Sequence, residues 1–236
     1  MEQAKVMAIS GAAGGLGPTV ARAFFNAGAS LALAGRSEEK LVLLLDTLGV
    51  PPMRRLASGV DLADAAAARA WAAAVQERFG RVDVVLHLVG GYRGGVSLAE
   101  LSLSDWNELQ GMLIGTTLSV VRAFAGILKR GGGRFIAVTS PKAQAPTAKS
   151  ALYSMAKAAS DALVLALADE LRGTGSTANL VVVDSIDFPE ARGTEPRKPY
   201  GKSTPAEEIA AAMLFLCSDK AATINGARVP LTGKTA

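Results

Sequence analysis

The sequence alternates short apolar runs with longer segments of helical periodicity, and this alternation restricts the possible folds most strongly. Clear apolar runs are KVMAIS, SLALAG, RVDVVLHLVGG, RFIAVTS and TANLVVVDS, with a weaker one in RRLASGVD and a last one in ARVPL. A strand that is followed by a helix rejoins its sheet in the parallel direction. We therefore predict an α/β fold, a doubly wound sheet of about seven parallel strands with helices on both faces. Sheets of this kind bind their ligands at the carboxyl ends of the strands.

The organisation of the chain indicates one domain over residues 1–236, because the sequence has no linker, internal repeat or low-complexity tract. The periodicity over about 104–130 predicts one continuous long helix that ends at the glycines of KRGGG. The longest irregular stretch lies at about 186–203. Irregular segments of this length inside a domain are usually lids or binding loops, so we expect this one to cover a ligand.

Composition and charge favour a mildly basic soluble enzyme over a nucleic-acid-binding or membrane protein. Half of the residues are hydrophobic, the net charge is +4, and the basic residues are scattered instead of clustered. The sequence shows neither a signal-peptide pattern nor a run of about eighteen apolar residues. We expect a cytoplasmic protein with no membrane or nucleic-acid partner. The single cysteine excludes an intramolecular disulfide, and no metal site is indicated.

The glycine-rich segment SGAAGGLGP joins the first predicted strand to the first predicted helix. It places Gly11, Gly15 and Gly17 in the pattern G-x-x-x-G-x-G. Glycines at such positions let the backbone turn sharply and approach a pyrophosphate, which the N–H groups and the dipole of a helix N-terminus attract. In this position the segment indicates a dinucleotide-binding fold of the Rossmann type.

The end of the second predicted strand distinguishes the two nicotinamide dinucleotides. An acidic residue there binds the ribose 2′-hydroxyl of NAD(H), whereas an arginine accommodates the 2′-phosphate of NADP(H). This chain has Gly35 and then Arg36, so we favour NADP(H) over NAD(H). A solvated surface arginine beside Glu38 is the alternative interpretation. Asp61, after the third strand, is either an acceptor for the adenine amino group or a turn residue.

Tyr153 and Lys157 are four residues apart in a predicted helix, which places their side chains on one face. This pair is either amphipathic packing or an acid whose proton affinity a neighbouring cation sets. Ser140 precedes Tyr153 by thirteen residues. The glycine-rich segment, Ser140, the YSMAK segment and the C-terminal segment TPAEEIAAAMLFLCSDKAATINGARVPLTG, in this order, resemble the short-chain dehydrogenase/reductase family in its single-domain form. The resemblance covers nearly the whole chain.

The resemblance implies roles for these residues. Ser140 would bind the substrate carbonyl, and Tyr153 would be the general acid in reduction and the base in oxidation. Lys157 would hold the nicotinamide ribose and lower the pKa of Tyr153, because a nearby cation favours the phenolate. The implied cofactor-binding residues are Gly11, Gly15, Leu16, Gly17, Arg36, Asp61, Leu62, Gly90, Tyr153 and Lys157. The implied substrate-pocket residues are Tyr92, Lys142, Phe188 and Arg192.

Three positions depart from the family pattern. His87 and Leu88 stand where the family usually has two asparagines after the fourth strand, and we expect a structural or cofactor-adjacent role for His87. Leu113 lies near the position of the asparagine that supports a water-mediated proton relay in many members. Asn107 is one to two helical turns earlier. The Pro-Gly that commonly follows the sixth strand is replaced in the segment VVDSIDFPEAR.

Together, these features predict an NADP(H)-dependent oxidoreductase that interconverts a carbonyl and an alcohol on a small molecule. The alternative is a catalytically silent NADP(H)-binding regulatory or scaffold protein of the same fold. Small residues in the two long helices, at about 104–130 and 152–172, allow close packing of helices. In the family these two helices usually form the dimer face, so the resemblance implies a homodimer or homotetramer.

Overall fold

The computed structural model describes residues 4–188 and 203–232. The strands are β1 (Val6–Ser10), β2 (Ser30–Gly35), β3 (Arg55–Gly59), β4 (Val84–His87), β5 (Arg134–Thr139), β6 (Thr177–Val182), β7 (Ser185–Asp187), β8 (Ser203–Pro205) and β9 (Arg228–Pro230). The α-helices are α1 (Gly17–Asn26), α2 (Glu38–Thr47), α3 (Ala65–Phe79), α4 (Leu103–Leu109), α5 (Thr116–Leu128), α6 (Ala151–Glu170) and α7 (Ala206–Leu216).

Seven of the strands form one parallel sheet in the order β3-β2-β1-β4-β5-β6-β9. From β1 the chain moves outward to β3 and then returns to place β4 on the other side of β1. The reversal opens a crevice at the carboxyl ends of β1 and β4, where sheets of this type bind ligands. The predicted Rossmann-type fold with seven parallel strands is confirmed.

Helices cover both faces of the sheet because successive strand residues point to opposite sides. On β1, Met7 and Ile9 belong to a core that includes residues of α1, α2 and α7. Val6 and Ala8 belong to the core on the other face, with residues of α3, α5 and α6. Both layers are apolar, which explains why the strands read as nearly continuous hydrophobic runs.

The predicted long helix over about 104–130 is present, and the chain is helical from Leu103 to Leu128. Residues Gln110–Gly115 form a π-helical turn between α4 and α5. Two hydroxyls bond to carbonyls of this turn: Thr116 Oγ1 donates to Met112 O and Thr117 Oγ1 donates to Leu113 O, both at 2.6 Å. Such side chains compete for backbone carbonyls and disturb regular helices. π-turns are frequent at functional sites.

The predicted irregular segment 186–203 begins and ends in regular structure. β7 and β8 form a small parallel pair, in which Ile186 lies opposite Thr204. Between them, positions 189–202 lie outside the described residues, and so does Arg192, which we predicted in the substrate pocket. The role of this segment as a substrate-covering loop stays a prediction.

Two helical stretches, Leu103–Leu128 and Ala148–Glu170, are long and apolar enough to cross a membrane by length and composition alone. Each packs residues into the core beside the sheet. Because core helices of water-soluble proteins pass the same test, this finding is weak evidence for a membrane span.

Candidate active site

The glycine-rich loop occupies the crevice between β1 and β4. Gly11 has a φ of 74°, and a Cβ there would lie 2.8 Å from the backbone nitrogen of Val89. A Cβ at Gly17, the first residue of α1, would lie 2.0 Å from the carbonyl oxygen of Ala12. The backbone N–H of Gly11 donates to Ala34 O at 2.9 Å, which ties the loop to the end of β2. Close backbone approach therefore requires glycine at both positions.

A cleft of about 670 Å³ runs from this loop across the ends of β2 and β3. Five residues that we predicted to bind the cofactor line it: Gly11, Arg36, Asp61, Leu62 and Gly90. Gly17 lies at the start of α1, and among the described residues it lines neither this cleft nor the neighbouring catalytic cavity. An elongated cleft with a backbone cradle at its centre fits a dinucleotide.

Lys40 is a residue of this cleft that sequence analysis missed. It lies in the first turn of α2 and lines the cleft together with Arg36 and Ser37. Within residues 4–188 and 203–232, neither Arg36 nor Lys40 forms an ion pair. The Glu38 carboxylate turns away and accepts a hydrogen bond from the N–H of Gly59 at 3.4 Å. In the sequence, Lys40 lies four residues after Arg36, at the start of a predicted helix. This spacing could have indicated that Lys40 lies near Arg36 in the cleft.

Asp61 has an observed role as a turn residue. Its Oδ1 accepts a hydrogen bond from the N–H of Ala63 at 3.0 Å, and its carbonyl accepts one from Asp64 at 3.1 Å. Because Asp61 also lines the cleft, the two interpretations of this residue are compatible. Contact with an adenine amino group stays a prediction.

A second cavity, of about 680 Å³, adjoins the glycine-rich loop and contains Ser140, Tyr153 and Lys157. Ser140 directly follows β5, and its Oγ accepts a hydrogen bond from the N–H of Lys142 at 3.3 Å. Tyr153 and Lys157 lie in the first two turns of α6, which runs past the end of β5. Predicted cofactor residues that also line this cavity are Gly15, Leu16 and Gly90.

The pKa of Tyr153 is controlled by other groups than the sequence-based expectation named. Burial raises the pKa of the Tyr153 phenol, and a hydrogen bond with Ser140 opposes that shift. The expected lowering by Lys157 is not seen in this structure. Lys157 Nζ instead donates a hydrogen bond to Val138 O at 2.9 Å. Burial lowers the pKa of Lys157 to about 8, with Asp161 opposing the shift.

His87 is buried and links three elements. Its Nδ1 lies 2.8 Å from Ser10 Oγ on β1, and its Nε2 lies 3.1 Å from Thr117 Oγ1 on α5. The Ser10 hydroxyl also donates to Leu86 O at 3.2 Å, and the Thr117 hydroxyl also donates to Leu113 O at 2.6 Å. Burial, together with the charge on Lys157, lowers the pKa of His87 to about 3, so the ring is neutral. This arrangement fits the expected structural role.

Leu113, near the expected position of the relay asparagine, has a buried side chain in the π-turn. Its carbonyl oxygen accepts hydrogen bonds from the hydroxyls of Thr117 at 2.6 Å and Ser160 at 3.1 Å. Asn107 is exposed on α4. The backbone of the turn is therefore anchored by two hydroxyls, without an asparagine side chain.

Three of the four predicted pocket residues surround the tyrosine. The ring of Tyr92 packs edge-on against Tyr153, with centroids 5.1 Å apart. Lys142 pairs with Asp184, Nζ to Oδ1, at 2.9 Å. Phe188 lies over the glycine-rich loop, since a Cβ added to Gly15 would be 2.9 Å from its ring. Asp184, which replaces part of the usual Pro-Gly, is a second pocket residue that sequence analysis did not assign.

Comparison with known proteins identifies the family. The profile described as Enoyl-(Acyl carrier protein) reductase matches residues 11–233. D-threitol dehydrogenase of Mycolicibacterium smegmatis is 32% identical over 239 residues, which cover 97% of this chain and 92% of that protein. The chain is a short-chain dehydrogenase/reductase. Meso-2,3-butanediol dehydrogenase of Serratia marcescens is 30% identical over 237 residues, with 97% and 93% coverage.

Solved structures of short-chain dehydrogenase/reductases agree with the fold. One from Mycobacterium ulcerans has a TM-score of 0.87 at 24% identity, covering 97% of this chain and 88% of that one. ElxO with NADP bound has a TM-score of 0.87 at 20% identity, with 97% of both chains covered. A 3-ketoacyl-(acyl-carrier-protein) reductase of Brucella melitensis complexed with NADH has a TM-score of 0.84 at 22% identity, with 96% coverage of both chains. These last two neighbours hold different nicotinamide cofactors, NADP in one and NADH in the other.

Proposed function

We propose that this short-chain dehydrogenase/reductase interconverts a carbonyl and an alcohol with NADP(H), and that Tyr153 is the general acid and base. The observation that carries the proposal is the shared cavity of Ser140, Tyr153 and Lys157 beside the glycine-rich loop. The hydroxyls of Ser140 and Tyr153 interact within this cavity, so both are available to one carbonyl oxygen.

The proposed mechanism assigns a task to each of the three side chains. The Ser140 hydroxyl donates a hydrogen bond to the carbonyl oxygen and stabilises the negative charge that develops there. Tyr153 donates its proton to the same oxygen during reduction and accepts it during oxidation. Lys157 holds a positive charge behind the tyrosine. NADP(H), when bound across the two clefts, supplies or accepts the hydride.

The preference for NADP(H) is supported by two cations at one end of the cofactor cleft. Arg36 and Lys40 line this end, and the Glu38 carboxylate is directed towards Gly59. A 2′-phosphate is a dianion that pairs with such groups, whereas a 2′-hydroxyl gains little from them.

The substrate class is proposed from the relatives and from the polar wall of the pocket. The two curated relatives named above are dehydrogenases of D-threitol and meso-2,3-butanediol, both small molecules with two or more hydroxyl groups. In this chain, the Lys142–Asp184 pair adds a donor and an acceptor near Tyr153. We therefore favour small hydroxylated ketones and their alcohols. A homo-oligomer and a cytoplasmic location are also part of this proposal.

A substrate panel tests the proposed function. Purified protein is mixed with NADPH or NADH and a series of α-hydroxyketones and diketones, and the cofactor absorbance is followed. The proposal predicts turnover with at least one of these carbonyls, faster with NADPH. Tight NADPH binding without oxidation across the panel would contradict it and favour the silent regulatory or scaffold protein.

A further inference from the structure

A small buried cavity lies behind Lys157, on the side away from the substrate pocket. Its volume is about 10 Å³, which gives room for about one water molecule. Polar side chains that line it are His87, Thr117, Lys157, Ser160 and Asp161. Three of these come from one face of α6, and the other two come from β4 and α5.

Asp161 is the only carboxylate among the residues that line this cavity, and it is 1% exposed. Its Oδ2 accepts a hydrogen bond from Arg228 Nε on β9 at 3.3 Å. Its Oδ1 is buried and has no hydrogen-bond partner within residues 4–188 and 203–232. The Thr139 hydroxyl lies beside the carboxyl, and its interaction with the carboxylate lowers the pKa of Asp161 against the rise that burial causes. Burial of a half-paired carboxylate is costly unless cations nearby compensate for it.

Within residues 4–188 and 203–232, Asp161 is the carboxylate whose charge raises the pKa of Lys157, whereas Asp184, on the substrate side, pairs with Lys142. His87, from β4, is neutral because burial lowers its pKa to about 3. Tyr153, from α6, is a phenol whose pKa is raised, so it is protonated at neutral pH. The cavity residues from β5 and β6 are apolar: Ala137, Val138 and Leu180. Arg228, from β9, lies behind Asp161 and pairs with it.

From this arrangement we infer that Asp161 is a positioning residue for Lys157: its carboxylate acts across the shared cavity to hold the ammonium form of Lys157 behind Tyr153. Burial raises the pKa of Asp161, and Arg228 opposes this shift by favouring the ionised carboxylate, which it also anchors to β9. Only the effect of Asp161 on turnover rests on the proposed function. The electrostatic relation between Asp161 and Lys157 is a property of the protein alone.

The direction of the effect follows from charge. Burial lowers the pKa of Lys157 to about 8, and Asp161 opposes this shift. Removing the carboxylate therefore lowers the pKa of Lys157 further, and the ammonium form is lost at a lower pH. If the Asp161–Arg228 ion pair had only a structural role, its removal would change the stability of the protein and would leave the pKa of Lys157 unchanged.

The test is a direct titration of Lys157 in protein labelled with ¹³C at the lysine ε carbons. The Lys157 signal is assigned by its loss in Lys157→Met. We expect a midpoint near pH 8 in the wild type and a midpoint about one pH unit lower in Asp161→Asn. The matched control is Asp169→Asn, on the same helix, whose carboxylate is exposed and pairs with Arg172. The control is expected to leave the midpoint unchanged.

An unchanged Lys157 midpoint in Asp161→Asn overturns the inference. Should that variant fail to fold because Arg228 is left unpaired, Arg228→Gln is compared with the double variant Asp161→Asn/Arg228→Gln. The midpoint must then be lower in the double variant, and equal midpoints overturn the inference. Once a substrate is known, the alkaline limb of kcat/KM for reduction should move to lower pH in Asp161→Asn. Absence of Tyr153-dependent turnover refutes the proposed function and leaves the titration result intact.

Discussion

Among single residues, His87 departs most clearly from the family pattern, and its neutral ring joins β1, β4 and α5. The hydrogen bonds to Ser10 and Thr117 use both ring nitrogens of the uncharged form. Protonation of His87 would place a charge in a buried site near Lys157. The folded protein therefore resists protonation of this residue, whereas the unfolded chain does not.

This difference predicts that His87 destabilises the protein in acid. The unfolded chain binds a proton at His87 below about pH 6.5, and the folded protein does so only below about pH 3. Between these values stability falls as the pH falls, by about 2 kcal/mol from pH 7 to pH 5. Urea unfolding at both pH values measures this loss. In His87→Asn the pH-dependent loss should shrink by that amount, and an identical loss in both proteins would refute the argument.

Arg36 determines the cofactor preference in our proposal. Arg36→Ala removes a cation from one end of the cleft, so the Kd for NADPH should rise about tenfold or more, while the Kd for NADH stays nearly constant. Arg22→Ala, on the exposed side of α1, is the control. Fluorescence titration with each cofactor measures both constants. Equal affinities for NADPH and NADH that persist in Arg36→Ala would contradict the assignment.

At the scale of elements, periodicity predicts the order of strands and helices well, because each element buries an apolar face. It does not show where local hydrogen bonds change the type of a helix. The π-turn at Gln110–Gly115 depends on hydroxyls of Thr116 and Thr117 that bond to its carbonyls, and a helical pattern does not reveal this. The β7–β8 pair consists of three-residue strands, too short for alternation to mark them.

At the junction between the glycine-rich loop and α1, close packing predicts that Gly17 does not tolerate a side chain. A methyl group at Gly17 would overlap the Ala12 carbonyl, so Gly17→Ala should destabilise the protein by about 3 kcal/mol or prevent folding. Gly126→Ala is the matched control on α5, where an added Cβ meets nothing within 4 Å. The control should be neutral or stabilising by about 0.5–1 kcal/mol. Equal stability of the two variants in urea unfolding would show that the junction tolerates a side chain.

For the whole molecule, large apolar side chains remain exposed on the helices that the resemblance assigns to the dimer face. Leu103, Leu118 and Met155 are 80%, 41% and 53% exposed. They lie on α4, α5 and α6, and α6 packs against both of the other helices. Burial of such a surface between copies of the chain would remove apolar area from water.

We therefore predict a dimer or tetramer in size-exclusion chromatography with light scattering. Met155→Glu should shift the protein towards smaller species, because a buried unpaired carboxylate is unfavourable in an interface. Met53→Glu, at a site that is 75% exposed next to β3, should leave the assembly unchanged. A wild-type protein that stays monomeric at micromolar concentration would contradict the proposed interface.

For the whole molecule, the sequence predicts where the candidate site lies, but it does not predict the pKa shifts and ion pairs of the site. The order of the glycine-rich segment, Ser140, Tyr153 and Lys157 places these residues at the carboxyl edge of a parallel sheet. The pKa of Tyr153 depends instead on burial and on Asp184, which the chain brings near only on folding. Asp161 and Arg228 are 67 residues apart in sequence, so no local pattern predicts their pair.

The central claim is that Tyr153 transfers the proton, and Tyr153→Phe tests it most directly because it removes the hydroxyl and keeps the ring. For a carbonyl that the wild type reduces, kcat/KM is measured for both proteins, with the NADPH Kd as the check on folding and binding. We predict that kcat/KM falls by about 100-fold or more, while the NADPH Kd changes less than about threefold. Turnover by Tyr153→Phe at the wild-type rate would contradict the account.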